Sequence, residues 1–156
     1  MNDDEFYFDT SVLSNFARIE RLELLWKFTE KIRTTRDVIE EVQKGIPKRP
    51  QLSSIIKAQT QGRIILTSSA SEETILLMND LRLEGVLGRG EISVMGVARE
   101  VGGIFVTDDE RATKKAQKLK IKVLDPIEYR DTIIILKTLM KNSNIDRREY
   151  FAIKKY

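Results

Sequence analysis

The chain contains no cysteine and no histidine. The first absence excludes disulfides, thiol catalysis and thiolate metal sites. The second excludes a zinc site built on imidazole and any histidine general base. Phosphodiester chemistry that works through a histidine pair is excluded with it. Any catalysis must therefore rest on carboxylates, hydroxyls, lysine, tyrosine or backbone groups, and carboxylates favour hard cations such as Mg²⁺ or Mn²⁺. Long apolar runs are also missing. The longest purely aliphatic run, Ile133 to Leu136, falls far short of a membrane span. The opening MNDDEF is acidic and has no signal-peptide pattern, so the expectation is a soluble, cytoplasmic protein with no membrane partner. Nor does one sign of charge dominate: 27 basic residues stand against 24 acidic ones, a formal net charge of +3. That balance does not by itself imply nucleic acid; the placement of the charges has to carry the argument.

What remains is ordinary for one globular domain: 156 residues, 41% apolar and 33% charged. There is no repeat, low-complexity stretch or linker, and GIPKRP at 45–50 reads as a loop. Short apolar runs alternate with helical patterns. Phe6-Tyr7-Phe8 is apolar without alternation, as a strand covered on both faces should be. Helix is predicted from Ser11 to Lys31 with a break near Ile19–Arg21, then a weak strand at Ile32 to Thr34. Arg36 to Lys44 and Gln51 to Gln61 read as helices, and Arg63 to Leu66 as a short strand or extended connection. Ser71 caps a helix running to Glu84. Glu91 to Val101 is helical and stops at Gly102-Gly103. Ile104-Phe105-Val106 is a strand, Glu110 to Lys120 a helix, Ile121 to Leu124 the last strand. Pro126 opens another helix, and a final one runs towards Tyr156. Strands alternating with helices predict parallel βαβ units, an α/β fold with helices on both faces of a short sheet. In such sheets ligands bind beyond the carboxyl ends of the strands.

Acids stand at those ends. Asp9 directly follows Phe6-Tyr7-Phe8, and Asp108 and Asp109 follow Ile104 to Thr107. Strands lie about 4.8 Å apart, so these acids share one crevice if the two strands pair. Each also has a local explanation as the N-cap of the helix that follows it. Glu91 resists that explanation. On a helical wheel it falls within the apolar stripe of Val94, Met95, Ala98 and Val101. A carboxylate aimed at a core must be paired, protonated or bound to a cation. Glu41 borders the stripe formed by Val38 and Val42, while Glu40 points further outward. Leu87-Gly88-Arg89-Gly90 makes a tight entry turn but lacks the ending of a phosphate-binding P-loop.

In combination these segments resemble the PIN-domain family. FYFDTSVL at 6–13 resembles its opening strand and acidic turn, and DVIEEV at 37–42 its second acidic motif, with Glu41 in the glutamate position. GRGEISVMGVARE at 88–100 resembles the third, with Glu91 in the metal-binding position, and IFVTDDERA at 104–112 the fourth, with Thr107, Asp108 and Asp109. The resemblance covers roughly residues 5–125, leaving 126–156 as a C-terminal helical extension of a single domain, available for dimerisation or a partner. It implies a three-layer α/β/α sandwich around a short parallel sheet. It also implies Mg²⁺- or Mn²⁺-dependent cleavage of single-stranded RNA, a homodimer, and a toxin held by a small antitoxin protein.

On that footing Asp9 and Glu91 are the principal metal ligands, and Asp108, Asp109 and Glu41 complete a site for one or two ions. The spacing after Thr107 favours Asp109 over Asp108. Clustered acids repel one another until a cation enters, and a pair of ions roughly 3.5–4 Å apart serves in-line displacement at phosphorus. Thr10, Ser11 and Thr107 are placed to position a phosphate, as are the helix N-termini at Ser11 and Gly90. Arg89, Arg111, Lys114 and Lys115 are the candidate substrate contacts; Lys118 and Lys122 continue the same basic run, which also reads as a solvated helix face. Trp26 and Tyr7 read as core. Two other readings stay open: a non-catalytic PIN-like module that binds RNA or protein, and a haloacid-dehalogenase-like phosphatase. The latter expects an aspartate where Ser11 stands.

Overall fold

The structure, a computed structural model, describes residues 4–68 and 71–155. Five strands form one all-parallel sheet in the order β3-β2-β1-β4-β5. They are β1 (Phe6–Phe8), β2 (Ile32–Thr34), β3 (Ile64–Leu66), β4 (Ile104–Val106) and β5 (Lys122–Val123). Nine α-helices flank them among the described residues: α1 (Thr10–Arg18), α2 (Leu25–Phe28), α3 (Arg36–Gly45), α4 (Ser53–Thr60), α5 (Glu72–Glu84), α6 (Arg89–Val101), α7 (Glu110–Lys118), α8 (Asp131–Lys141) and α9 (Arg147–Lys154). The α/β three-layer arrangement expected from the strand–helix alternation is present. None of these helices is long and apolar enough to cross a membrane.

The centre of the sheet is its most apolar part. Tyr7 and Phe8 of β1, and Phe105 and Val106 of β4, are buried. Consecutive residues of a strand face opposite sides, so a strand buried at successive positions is covered on both. Burying each of these side chains contributes roughly 1.5–3 kcal/mol. The backbone comes close as well: a Cβ on Gly103 would stand 2.4 Å from the Tyr7 ring.

Helix α6 is the most enclosed helix around the site. It packs on α3 and α5 and over β1 and β4. Ile92, Ser93, Val94, Met95, Val97 and Ala98 are all buried, which makes it wider in burial than the single stripe expected. Val101 departs from expectation in the other direction. It is 47% exposed, because the covered face ends a turn earlier, at Ala98, and the helix stops in a left-handed cap at Gly102 (φ 72°).

The expected helix at Pro126 is not there; α8 begins at Asp131. The Asp125 carboxylate accepts the backbone N–H groups of Ile127 (2.8 Å) and Glu128 (3.0 Å), holding a turn that competes with a first helical turn. Residues beyond it belong to the common core: Ile135, Leu136, Leu139, Tyr150 and Ile153 are buried in the same cluster as the sheet. Trp26 also differs from its core reading. It is half-buried, with its Nε1–H donated to the Arg63 carbonyl at 3.3 Å and the Arg63 guanidinium 4.3 Å above its ring. The final residue, Tyr156, lies outside the described residues.

Candidate active site at the β1/β4 strand ends

The strand order reverses between β1 and β4, since β1 is followed outward by β2 on one side and β4 by β5 on the other. Such a switch point opens a crevice at the carboxyl ends of the two strands. Phe8 pairs with Val106, so Asp9 and Thr107 emerge side by side, and the Asp9 N–H still reaches the Val106 carbonyl at 3.1 Å.

Asp9 is 1% exposed. Its Oδ1 accepts the Ser11 N–H (3.0 Å) and the Ser11 hydroxyl (2.6 Å), and its Oδ2 accepts the Thr107 hydroxyl. It therefore caps α1 and faces the crevice at once. Burial pushes its pKa up to about 7. The Ser11 and Thr107 hydrogen bonds oppose that rise, and the Glu91 and Asp108 charges add to it.

Glu91 sits in the first turn of α6, and its Oε1 accepts the Gly88 N–H at 3.0 Å. Its pKa is raised first by burial. The Gly88 hydrogen bond lowers it; Asp109, within hydrogen-bonding reach, and Glu41 raise it further. Glu41 bridges two helix N-termini: its Oε2 accepts the Thr10 hydroxyl (2.6 Å) and its Oε1 the Gly90 N–H (2.7 Å). Helix α3 is pinned for this by Thr35, whose hydroxyl pairs with Ser93 of α6 at 2.6 Å. A Cβ at position 90 would stand 2.6 Å from Glu41 Oε1, so the carboxylate keeps this place only beside glycine.

The neighbouring aspartates differ in role. Asp109 caps α7 through the Ala112 N–H (3.1 Å) and lies against Glu91. Asp108 turns to the opposite side. It accepts the Thr132 N–H (2.8 Å), the Thr132 hydroxyl (2.6 Å) and the Asn15 amide, tying α8 to α1. Its own N–H is donated to Ser11 Oγ at 3.0 Å.

Sequence reasoning missed Asp131. It is 2% exposed and its Oδ2 accepts the Thr107 N–H at 2.8 Å. Its pKa is pushed up to about 8, first by burial and then by Asp108, Asp9 and Asp125, against the Thr107 hydrogen bond. The signal was available: Asp131 precedes the buried Ile135 and Leu139 by four and eight residues, the same stripe argument that singles out Glu91. Asn15 and Thr132 carried no such signal.

The basic candidates spread more widely. Arg89 turns to α3, its Nε 3.0 Å from Asp37 and an Nη 3.6 Å from Glu40. Arg111 Nε stands 3.9 Å from Asp109, Lys114 pairs with Glu110 at 3.2 Å and Lys115 with Glu84 at 2.9 Å.

A family model for the PIN domain matches residues 6–150. The chain belongs to the PIN-domain family. A comparison with curated proteins finds no match. PIN domains are generally nucleases and typically bind divalent metals. In this PIN domain the donors are all oxygens, which suits hard cations. Among the described residues, Asp9, Glu41 and Glu91 form no ion pair with lysine or arginine, while Asp109 has Arg111 at 3.9 Å. Converging acids with so little cationic compensation fit a divalent ion. Among the same residues, no group of three or more acids is gathered in a geometry that would already hold one. Asp9, Glu91, Asp109 and Glu41 instead accept hydrogen bonds from neighbouring helix ends and hydroxyls.

Proposed function

We propose that this PIN domain is a Mg²⁺- or Mn²⁺-dependent endoribonuclease that hydrolyses phosphodiester bonds of single-stranded RNA. One observation carries the reading: Asp9, Glu91, Asp109 and Glu41 come from four separate segments to one strand-end crevice, where burial and mutual repulsion raise the Asp9 and Glu91 pKa values. Carboxylates whose pKa values are raised by burial, and further by neighbouring acids, are costly in a purely structural role and useful in a functional one.

Asp9, Glu91 and Asp109 are the residues to hold the metal, and Glu41 the one to shape the pocket beside Gly90. A divalent ion bound there supplies Lewis-acid charge to the phosphate and lowers the pKa of an attacking water. The chain's own groups orient and exclude. The hydroxyls of Ser11 and Thr107 fix the Asp9 carboxylate. Asp131 fixes the Thr107 backbone. Thr10 holds Glu41, and the N-termini of α1 and α6 present positive dipole ends to a substrate phosphate. A toxin role, with a small antitoxin as partner, a homodimer and cytoplasmic residence belong to the same proposal.

A second reading, a non-catalytic binding module, is favoured by one feature: Glu91, Asp109 and Asp108 each already accept a helix-end N–H. Labelled single-stranded RNA, with single-stranded DNA alongside, separates the two. The nuclease reading expects Mn²⁺-dependent cleavage of RNA that is lost in both Asp9→Asn and Glu91→Gln. RNA bound but left intact by the wild-type chain at every metal concentration favours the module.

A further inference from the structure

Helix α7 presents Arg111, Lys114, Lys115 and Lys118 along one stripe, at spacings of three, four and seven residues, while Ala112 and Ala116 are buried on its other side. Opposite the stripe lies the turn from α5 to α6. Between them is a cavity of about 220 Å³ whose other wall is Val86 and Leu87. Glu84 at its edge is occupied by Lys115. The slot is therefore apolar in its floor and cationic at its rim. Its volume is below the roughly 300–1,000 Å³ that encloses a whole small-molecule ligand, and suits one flat ring system.

Both walls run into the acid cluster. Leu87 directly precedes Gly88, whose N–H holds Glu91, and Arg111 reaches to 3.9 Å from Asp109. We propose that this slot takes the nucleobase next to the scissile phosphate of single-stranded RNA. The inference rests on the nuclease reading above and gives it a second subsite. Val86, 51% exposed, and Leu87 contact the face of the base. Arg111, with its side chain 71% exposed, stacks its guanidinium plane over it. Lys114 and Lys118 meet the flanking phosphates. Arg111, Lys114, Lys115 and Lys118 outnumber the acids that pair with them, Asp109, Glu110 and Glu84, and that excess at an exposed rim favours a polyanion over a protein segment.

The test is fluorescence anisotropy of the full chain with a labelled single-stranded oligoribonucleotide in Ca²⁺, with the RNA checked for integrity. An abasic nucleotide is moved along the strand, leaving every phosphate in place. The wild type is expected to lose about tenfold in affinity when the abasic position falls in the slot. Val86→Asp, at an exposed position, should bind intact RNA as weakly as abasic RNA and keep its Tm. Lys118→Glu should weaken both RNAs alike and flatten the salt dependence. Equal binding of intact and abasic RNA by the wild type overturns the proposal in favour of a phosphate track. Unchanged RNA binding with altered sedimentation in Val86→Asp overturns it in favour of a protein contact. If the wild type cleaves RNA but is indifferent to both changes, the slot alone falls; if it neither binds nor cleaves RNA, the nuclease reading falls too.

Discussion

Replacing Asp9 by asparagine should stabilise the metal-free protein while abolishing its activity. The carboxyl is buried, with its pKa pushed up to about 7, whereas in an unfolded chain an aspartate titrates at about 3.9. Between these values the folded protein holds a proton that the unfolded chain has released. The stabilisation is therefore complete below about pH 4 and lost as pH rises through about 7, opposite in sign to a salt-bridged aspartate. About three pH units at 1.36 kcal/mol each give roughly 4 kcal/mol. An amide carries no such charge. Its oxygen still accepts from Ser11 and its NH₂ can meet Thr107 Oγ. In EDTA at pH 8, Asp9→Asn should exceed the wild type by a few kcal/mol. For a domain of this size that raises Tm by on the order of 10 °C. Near pH 4 the two should converge. Asp131 has the same sign of dependence and is raised in part by the Asp9 charge, so relief of that repulsion in Asp9→Asn adds to the difference in the same direction. Urea unfolding followed by circular dichroism from pH 4 to 8.5 measures it. Mn²⁺ at a hundred times Kd should add about 2.7 kcal/mol to the wild type and little to the variant. A variant less stable than wild type at pH 8, with wild-type stability flat or rising between pH 5 and 7, would show instead that Asp9 is an ordinary ionised cap.

Other substitutions separate site from scaffold. Gly90→Ala places a methyl 2.6 Å from Glu41 Oε1; displacement of that carboxylate should cut metal-dependent cleavage at least about tenfold with little change in Tm, and an unchanged rate removes Glu41 from the site. Asp108→Ala leaves the Thr132 N–H, the Thr132 hydroxyl and Asn15 without their acceptor, and should cost about 1–3 kcal/mol in urea unfolding. Its Mn²⁺ affinity by calorimetry should fall less than that of Glu91→Gln, and an equal fall contradicts the scaffold role. Arg89→Ala removes an exposed ion pair to Asp37 and Glu40; stability should change by less than about 1 kcal/mol and RNA affinity hardly at all, whereas a large loss of affinity would show that Arg89 leaves α3 to meet phosphate.

The fold was legible because its signals are local. Phe6-Tyr7-Phe8 and Ile104-Phe105-Val106 are unalternated apolar runs, and Gly102 and Ser71 end and start helices by backbone chemistry that a sequence displays directly. Pro126 misled because the Asp125 side chain, not the proline, governs the next residues. Burial around α6 was only half legible: the wheel marks one face, but the packing of α3 and α5 covers the flanks and leaves Val101 outside. At the site, residue type and strand-end position pointed to Asp9, Glu41, Glu91 and the Asp108–Asp109 pair. What the sequence could not display is which oxygen faces which donor. Asp108 looks inward to Thr132 and Asn15, residues 24 and 93 positions away. Asp131 joins the network only because the first residue of α8 meets Thr107, just beyond the end of β4.

If the acids at the β1 and β4 ends hold a divalent cation, a crystal grown with Mn²⁺ and measured at the manganese absorption edge should give an anomalous peak bounded by Asp9, Glu91 and Asp109, with the Glu91 carboxylate released from the Gly88 N–H. An empty crevice, with Glu91 still on Gly88 and Asp109 still on Ala112, would mean that these acids serve the helix ends alone.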